Sequence, residues 1–425
     1  MPCPKCIEFG WPDPQEPVEG SEFCVFHAPA EQKGRSIDLF NLAVFTRINE
    51  WDQSRSCDLS GTIFPGDIKF FPSKTNTLLP MKFSHSKFYG KVDFSHFTFH
   101  GVALFDNVLF YKQAIFRNCI YIHCQDQVGT VSFNNSTFYN TADFRQSNFD
   151  CHTNMQNITF KADVDFGGAS FNAWASFSSS HFFTANFLET TFNNQTYFNI
   201  VEFIHEIKFY TIHAHPESIH FYNLSSESIK NIKFRSNEVK YITFSCCTWP
   251  EFLHTQHEIE CDDKLIDQYI ELYCCLKQSA VAAHDQYMVS KWHFCEKSLR
   301  LEKIKKERGV YYFISITWLY SMFSGFGERP FRAGIWLTFF IFFPLLIYSI
   351  IYLSHTGISD ALNYTMASSI INKWIQFIPI IKQIHWPAPT TLIDSLQFVF
   401  SSLWQLLIAI QAALFGFALR NKFRR

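Results

Sequence analysis

Charge is what this 425-residue sequence has little of. Only 17% of its residues are Asp, Glu, Lys or Arg, and 36 basic residues nearly cancel 38 acidic ones. A chain so balanced carries no strong field of one sign. Neither nucleic-acid binding nor phosphate mimicry over a wide surface is expected of it. Gly-rich phosphate-cradling loops are missing. So are Ser/His/Asp, Cys/His and paired-carboxylate sets in a supporting context, so the chain is not expected to be an enzyme. No apolar targeting run opens the sequence, and thirteen cysteines are present. Together these argue for a reducing compartment, with pairs such as Cys246-Cys247 and Cys274-Cys275 as buried thiols rather than disulfides. The length suits two or three domains.

What is abundant is phenylalanine, at 50 residues. From position 82 to 209 it keeps a beat: Phe83, Phe88, Phe94, Phe99, Phe105, Phe110 and Phe116 stand alternately five and six residues apart. The beat resumes at Phe133, passes through Met155 and runs to Phe209, with small or β-branched residues two places before most rings, such as Ser86, Ala114 and Ala142. Neither a helix nor a flat strand presents one face every five to six residues. A coil with short straight sides does, each coil burying its rings against the next, so the ladder is read as core rather than active site.

These segments, for example Ala142-Asp143-Phe144-Arg145-Gln146 and Ala185-Asn186-Phe187-Leu188-Glu189, resemble the pentapeptide-repeat family. The resemblance implies a right-handed quadrilateral β-helix, assigned here to residues 57–250. The alternating sixth residue departs from the family pattern and expects a coil slightly longer than four fives. About six coils over the main stretch, at ~4.8 Å each, give a rod of roughly 29 Å. Leu59, Phe64 and Phe70 begin the beat early, Tyr121 and Gln127 are degenerate positions within it, and strands near Phe221, Phe234 and Phe244 end it.

Ahead of the ladder, Cys3-Pro4-Lys5-Cys6 and Cys24-Val25-Phe26-His27 place two ligand pairs on tight turns. Three thiolates and an imidazole complete a tetrahedral shell, so residues 1–34 are expected to fold around one structural zinc at Cys3, Cys6, Cys24 and His27. A closed shell leaves no position for substrate. Some pentapeptide-repeat proteins carry a similar knuckle before their repeats. Residues 35–56 supply an amphipathic helix suited to cap the open coil.

After the ladder the period turns helical over 251–308, two helices suited to cap its far end, closing on a basic run (Lys297, Arg300, Lys303, Lys305, Lys306, Arg308) that reads as facing anionic lipid. Residues 309–331 are aromatic but interrupted by Ser and Thr, and read as an interfacial helix. Residues 332–425 hold two spans, 333–353 and 392–419. Positive charge flanks the start of the first and the end of the second. Both termini are therefore expected in the cytoplasm of a multi-pass inner (plasma) membrane protein. In the second span Gln397, Ser401, Gln405, Ala409, Ala412 and Gly416 recur every three to four residues, either as a helix-packing stripe or as a pore lining. The loop segment 364–374 reads as a re-entrant or an interfacial helix.

The order of basic helix, Ser324-Gly325-Phe326-Gly327-Glu328-Arg329-Pro330, span, half-helix, span and basic tail resembles bacterial pentapeptide-repeat membrane proteins related to two-helix potassium-channel pores. That implies a homo-oligomer, a tetramer foremost. No Thr-Val-Gly-Tyr-Gly run occurs between Ser354 and Pro389, so the resemblance does not extend to potassium selectivity. Two functions follow as expectations. One is an ion-channel-like protein with a cytosolic sensor or gating rod; the other is a membrane-tethered scaffold whose rod binds a protein partner.

Overall fold

A ring every five or six residues can leave water only if the chain winds on itself, and it does. The computed structural model describes residues 1–49, 57–71, 80–122, 129–356, 364–375, 377–379 and 392–423. They form two compact units, Met1–Gln256 and His257–Arg425.

In the first unit every strand pairing is parallel, and the pairings resolve four faces over about eight turns. One face runs from Cys57–Asp58 to Ile242–Ser245, and another from Thr98–His100 to His213–Ala214. The remaining two are joined into one sheet because the strands Thr159–Asp165 and His181–Asn186 pass round the corner between them. In regular coils partners stand 22 residues apart, as in Met81 opposite Ala103 and Val131 opposite Thr153, while other coils are shorter or longer, as in Ser170 opposite Thr191 and Ala103 opposite Val131. The regular length is the one which the alternation of five and six dictates. The early strands near Phe64 and the late ones near Phe221 and Phe244 belong to the stack, as expected, and extend the main stretch to about eight turns.

The two spacings are two kinds of corner. In each five-residue step the second residue after the core ring has positive φ: His85, His96, Asn107, Asn118, Asn135, Gln146 and Asn157 lie between 54° and 62°. Short polar side chains tolerate that left-handed geometry, which explains the asparagines. At Ile200 and Thr211 the same corner is made by β-branched residues, against their preference.

Inside, the rings stack in columns. From Phe70 through Phe94, Phe116, Phe144, Phe166 and Phe187 to Phe209, centroids are 4.2–5.1 Å apart and planes lie within 12°. Each buried ring contributes about 1.5–3 kcal/mol through burial alone. Between columns, buried hydroxyls of Ser136, Ser147 and Ser180 donate to the carbonyls of Phe105, Phe116 and Met155 one coil back. Tyr121, the degenerate position, sits in a column between Phe99 and Phe149. It is fully buried, and its Oη has no hydrogen-bond partner among the described residues.

Both ends of the stack are finished by other elements. At the first coil α1 (Pro4–Glu8) belongs to the cysteine knuckle, and α2 (Ile37–Asn49) lays Phe40 and Phe45 on the column ends Phe64 and Phe70. In the last coil α3 (Ser226–Asn231) and a 3-10 turn replace two strands. Their side chains take over the ladder: Asn231 donates to the Phe203 carbonyl, and Glu238 accepts from the Thr211 amide.

The second unit begins with α4 (Gln256–Cys261), α5 (Asp263–Ala282) and α6 (Gln286–Arg308), the latter two capped by Asp262 and Asp285. Glu296 is buried between them, paired with Lys277 and with Arg300 (2.8 Å). Much of the basic run is ion-paired as well, Lys303 with Asp267 and Lys306 with Asp263. Residues 310–326 are not one helix. Ser315 caps a new one, α7 (Ile316–Ser324), which ends at the left-handed Gly325. Nine residues reach only ~14 Å, too short to span.

Then come α8 (Pro330–Thr356), α9 (Tyr364–Ile375) and α10 (Leu392–Phe423). α8 and α10 are long and apolar enough to cross a membrane. Only 11% and 17% of their apolar windows are buried, unlike core helices of a soluble fold. Among the described residues no cysteine is in a disulfide. Cys246 is exposed, and Cys247, Cys274 and Cys275 are half-buried, because these pairs fall outside the ring columns.

Two stability experiments follow. Tyr121→Phe removes an unpartnered buried hydroxyl and raises stability by about 1–2 kcal/mol, whereas Phe116→Ala costs about 3–5 kcal/mol; chemical denaturation followed by circular dichroism reads both. For Glu296, burial alone would raise the carboxyl, but the hydrogen bonds from Lys277 and Arg300 outweigh it and hold it down to about 2. A depressed carboxylate stabilises fully above its ordinary value of 4.5 and loses that stabilisation as pH falls towards about 2. Melts recorded across that interval show the decline, and Glu296→Gln flattens it.

Candidate functional site

The sequence places four ligands on two turns, and the chain brings all four together. Pro4 starts α1 just after Cys3, and the turn closes with the Cys6 amide donating to the Cys3 carbonyl at 3.1 Å. The second turn repeats the geometry: the amides of His27 and Ala28 donate to the Cys24 carbonyl at 3.0 and 2.8 Å. Cys3, Cys6, Cys24 and His27 are all buried, with ligand atoms within 4.8 Å of one another.

His27 Nδ1 stands 3.7, 3.5 and 3.2 Å from the sulfurs of Cys3, Cys6 and Cys24, and the Cys6 and Cys24 sulfurs are 3.6 Å apart. A tetrahedron with metal–ligand bonds of ~2.0–2.3 Å has edges of about 3.5–3.8 Å, so the cluster can hold a metal ion. The hydrogen bond shared by Cys6 and Cys24 pushes the Cys24 thiol down and the Cys6 thiol up.

The surroundings fit the same reading. His27 Nε2 bonds the Ser60 carbonyl at 3.0 Å, which fixes the proton there and turns Nδ1 toward the sulfurs. Trp11 donates to the same carbonyl at 3.2 Å. Lys33 is 2% exposed and lies over the Phe40 ring. Its Nζ donates to the carbonyls of Val25 and Phe26, inside the second ligand turn. Burial pulls its pKa down to about 7, opposed by the charge of Cys24. Lys33 and Ser60 had no signal in the sequence: a lysine in a polar stretch reads as solvated. The Phe26 carbonyl also accepts from Ile63, an edge amide of the first coil, so the knuckle is part of the solenoid's closure.

In the second unit the notable geometry surrounds Pro344, inside α8. A proline removes the amide that would serve the carbonyl one turn earlier and crowds the next one. Trp404 of α10 donates to the Phe340 carbonyl at 2.8 Å, and Trp374 of α9 to the Ile341 carbonyl at 2.7 Å. Trp374 also stacks on Phe342, and Phe377 is buried against Tyr348 and Phe400. The end of α9 is therefore level with Ile341, about 22 Å along the helix from Thr356 at its close. Gln411, which the sequence stripe omitted, is 2% exposed and ties α7 and α8 to α10 through the carbonyls of Phe323 (3.1 Å) and Ala333 (2.8 Å).

The stripe itself divides. Ser401 is buried in the chain's own packing and Gln405 is half-buried, whereas Ala409, Ala412 and Gly416 are exposed. The side chain of Gln397 lies outside the described residues.

Elemental analysis of the purified chain is expected to give one bound metal ion per chain. Cys6→Ser lowers that occupancy and opens residues 1–34 to limited proteolysis; a metal-free chain with a protected N-terminus would contradict the assignment. Compared with protein-family models, with curated proteins and with solved structures, the chain has no match, so its site rests on the geometry given above.

Proposed function

We propose that this chain is an oligomeric, ion-channel-like integral membrane protein whose pentapeptide-repeat-type solenoid lies in the cytosol as a sensor or gating rod. The observation that carries the reading is the depth of α9. If α8 and α10 span a bilayer, a half-helix whose Trp374 meets α8 at Ile341 enters from one side and stops near the middle. Short half-helices at that depth are tolerated where they line a water-filled path, and two spans with such a half-helix between them are the outline of a pore subunit.

Arg329, Arg332, Arg420 and Lys422 collect at one pair of helix ends, which favours both termini on the cytoplasmic side of an inner (plasma) membrane. Exposed Ala409, Ala412 and Gly416 suit close packing against a second subunit or an axis, with a tetramer as the simplest closed arrangement. Three thiolates and one imidazole at tetrahedral spacing suit zinc, in a structural role.

A second reading has its own observation. Tyr89, Tyr111 and Tyr139 stack on the outside of the solenoid at 4.7 and 5.0 Å, an aromatic ladder suited to a protein partner on a membrane-tethered scaffold.

Reconstitution in liposomes separates the two. Channel activity predicts cation or anion flux that Gln405→Leu alters. Absence of flux under every ionic condition and voltage, with partner capture retained by a chain ending at Arg308, would favour the scaffold.

A further inference from the structure

At the foot of the two apolar helices a cavity of about 550 Å³ opens between the start of α8 and the end of α10. Three cations line it: Arg329, Arg332 and Lys422. Among the described residues none of them is ion-paired with a carboxylate. Arg332 reaches the Ser321 carbonyl at 3.3 Å, and Arg329 lies over the Phe294 ring. Among the described residues Lys422 has no ion pair. This separates them from Arg300, Lys303 and Lys306 of α6, which are ion-paired with Glu296, Asp267 and Asp263. Glu328 also lines the cavity, and its Oε1 accepts from Asn421 at 3.5 Å. The lining is therefore net positive by two, and it suits a ligand with one or two negative charges.

The other wall is apolar. Phe331 is 83% and Ile335 56% exposed, and Trp336 lies half-buried beside them. A free phosphate would satisfy the cations and leave these side chains in water. A zwitterionic lipid would cover them and leave the net positive charge uncompensated.

We infer that this cavity binds one anionic phospholipid, with its phosphate between Arg329, Arg332 and Lys422 and its glycerol and upper acyl chains against Phe331, Ile335 and Trp336. The inference rests on the reading that α8 and α10 span a membrane. That places the cavity at the cytoplasmic interface, where basic pockets between spans meet headgroups. Occupancy would link the entry of the first span to the exit of the second.

The test uses the full chain in phosphatidylcholine nanodiscs with brominated lipid of either headgroup. Fluorescence of Trp336 is isolated as the difference between the wild type and Trp336→Phe. Brominated phosphatidylglycerol is expected to quench this component at far lower mole fraction than brominated phosphatidylcholine. Lys422→Gln and Arg332→Gln each reduce the preference roughly five-fold, as loss of one interfacial cation requires, and Arg308→Gln leaves it unchanged. Inorganic phosphate does not displace the lipid. Equal quenching by the two lipids, or a preference that survives both Gln variants, would overturn the site while leaving the membrane reading intact. Displacement by phosphate alone would make it a phosphate site. No quenching of Trp336 by either lipid would overturn the membrane reading itself.

Discussion

Every coil of the solenoid depends on its neighbours to keep its rings dry. A single 22-residue turn has no interior: Phe116 is buried only because Phe94 lies below it and Phe144 above, 5.1 and 4.9 Å away. Stability in such a stack is close to a sum of neighbour terms, and the ends are where that sum is incomplete. The rest of the first unit answers this constraint. α2 covers Phe64 and Phe70, the cysteine knuckle offers the Phe26 carbonyl to an edge amide, and at the far end Asn231 and Glu238 do with side chains what a further strand would do with backbone.

The Cys/His cluster, which can hold a metal ion, takes its place in this scheme. Residues 1–34 contain Trp11 and Phe26 as buried rings but little else to hold a fold, so the four ligands are the means by which a polar segment becomes a rigid cover. Because His27 is oriented by Ser60 of the first coil, cluster and solenoid are mutually dependent: the coil sets the imidazole, and the cluster closes the coil. Lys33, buried beside the ligand turn, puts a cation close to a shell that three thiolates would leave negative.

How much of this could be read from the sequence follows from how local each signal is. The Phe83–Phe209 beat encodes coil length directly, and Cys3, Cys6, Cys24 and His27 announce themselves by spacing. Tyr121 reads as a lapse in the beat and is in fact a full member of a column, because stacking needs a ring and tolerates the hydroxyl. Tertiary pairing was invisible. Nothing near Lys303 or Lys306 reveals that Asp267 and Asp263 neutralise them, and nothing near Gln411 tells that it faces inward. The interfacial helix expected within 309–331 is divided at Ser315, whose side chain caps α7 after a separate 3-10 turn.

Pro344 deprives the Phe340 carbonyl of the amide that would serve it within α8. Trp404 of α10 donates to that carbonyl, and Trp374 of α9 donates to the next one along, at Ile341. Any change in the bend of α8 must withdraw at least one indole N–H. If α8 spans a membrane, a carbonyl left without its donor there costs several kcal/mol. The bend angle of α8, the position of α9 and the rotation of α10 are therefore one mechanical variable rather than three. A force applied to any of these helices is felt by the other two at the same two oxygen atoms.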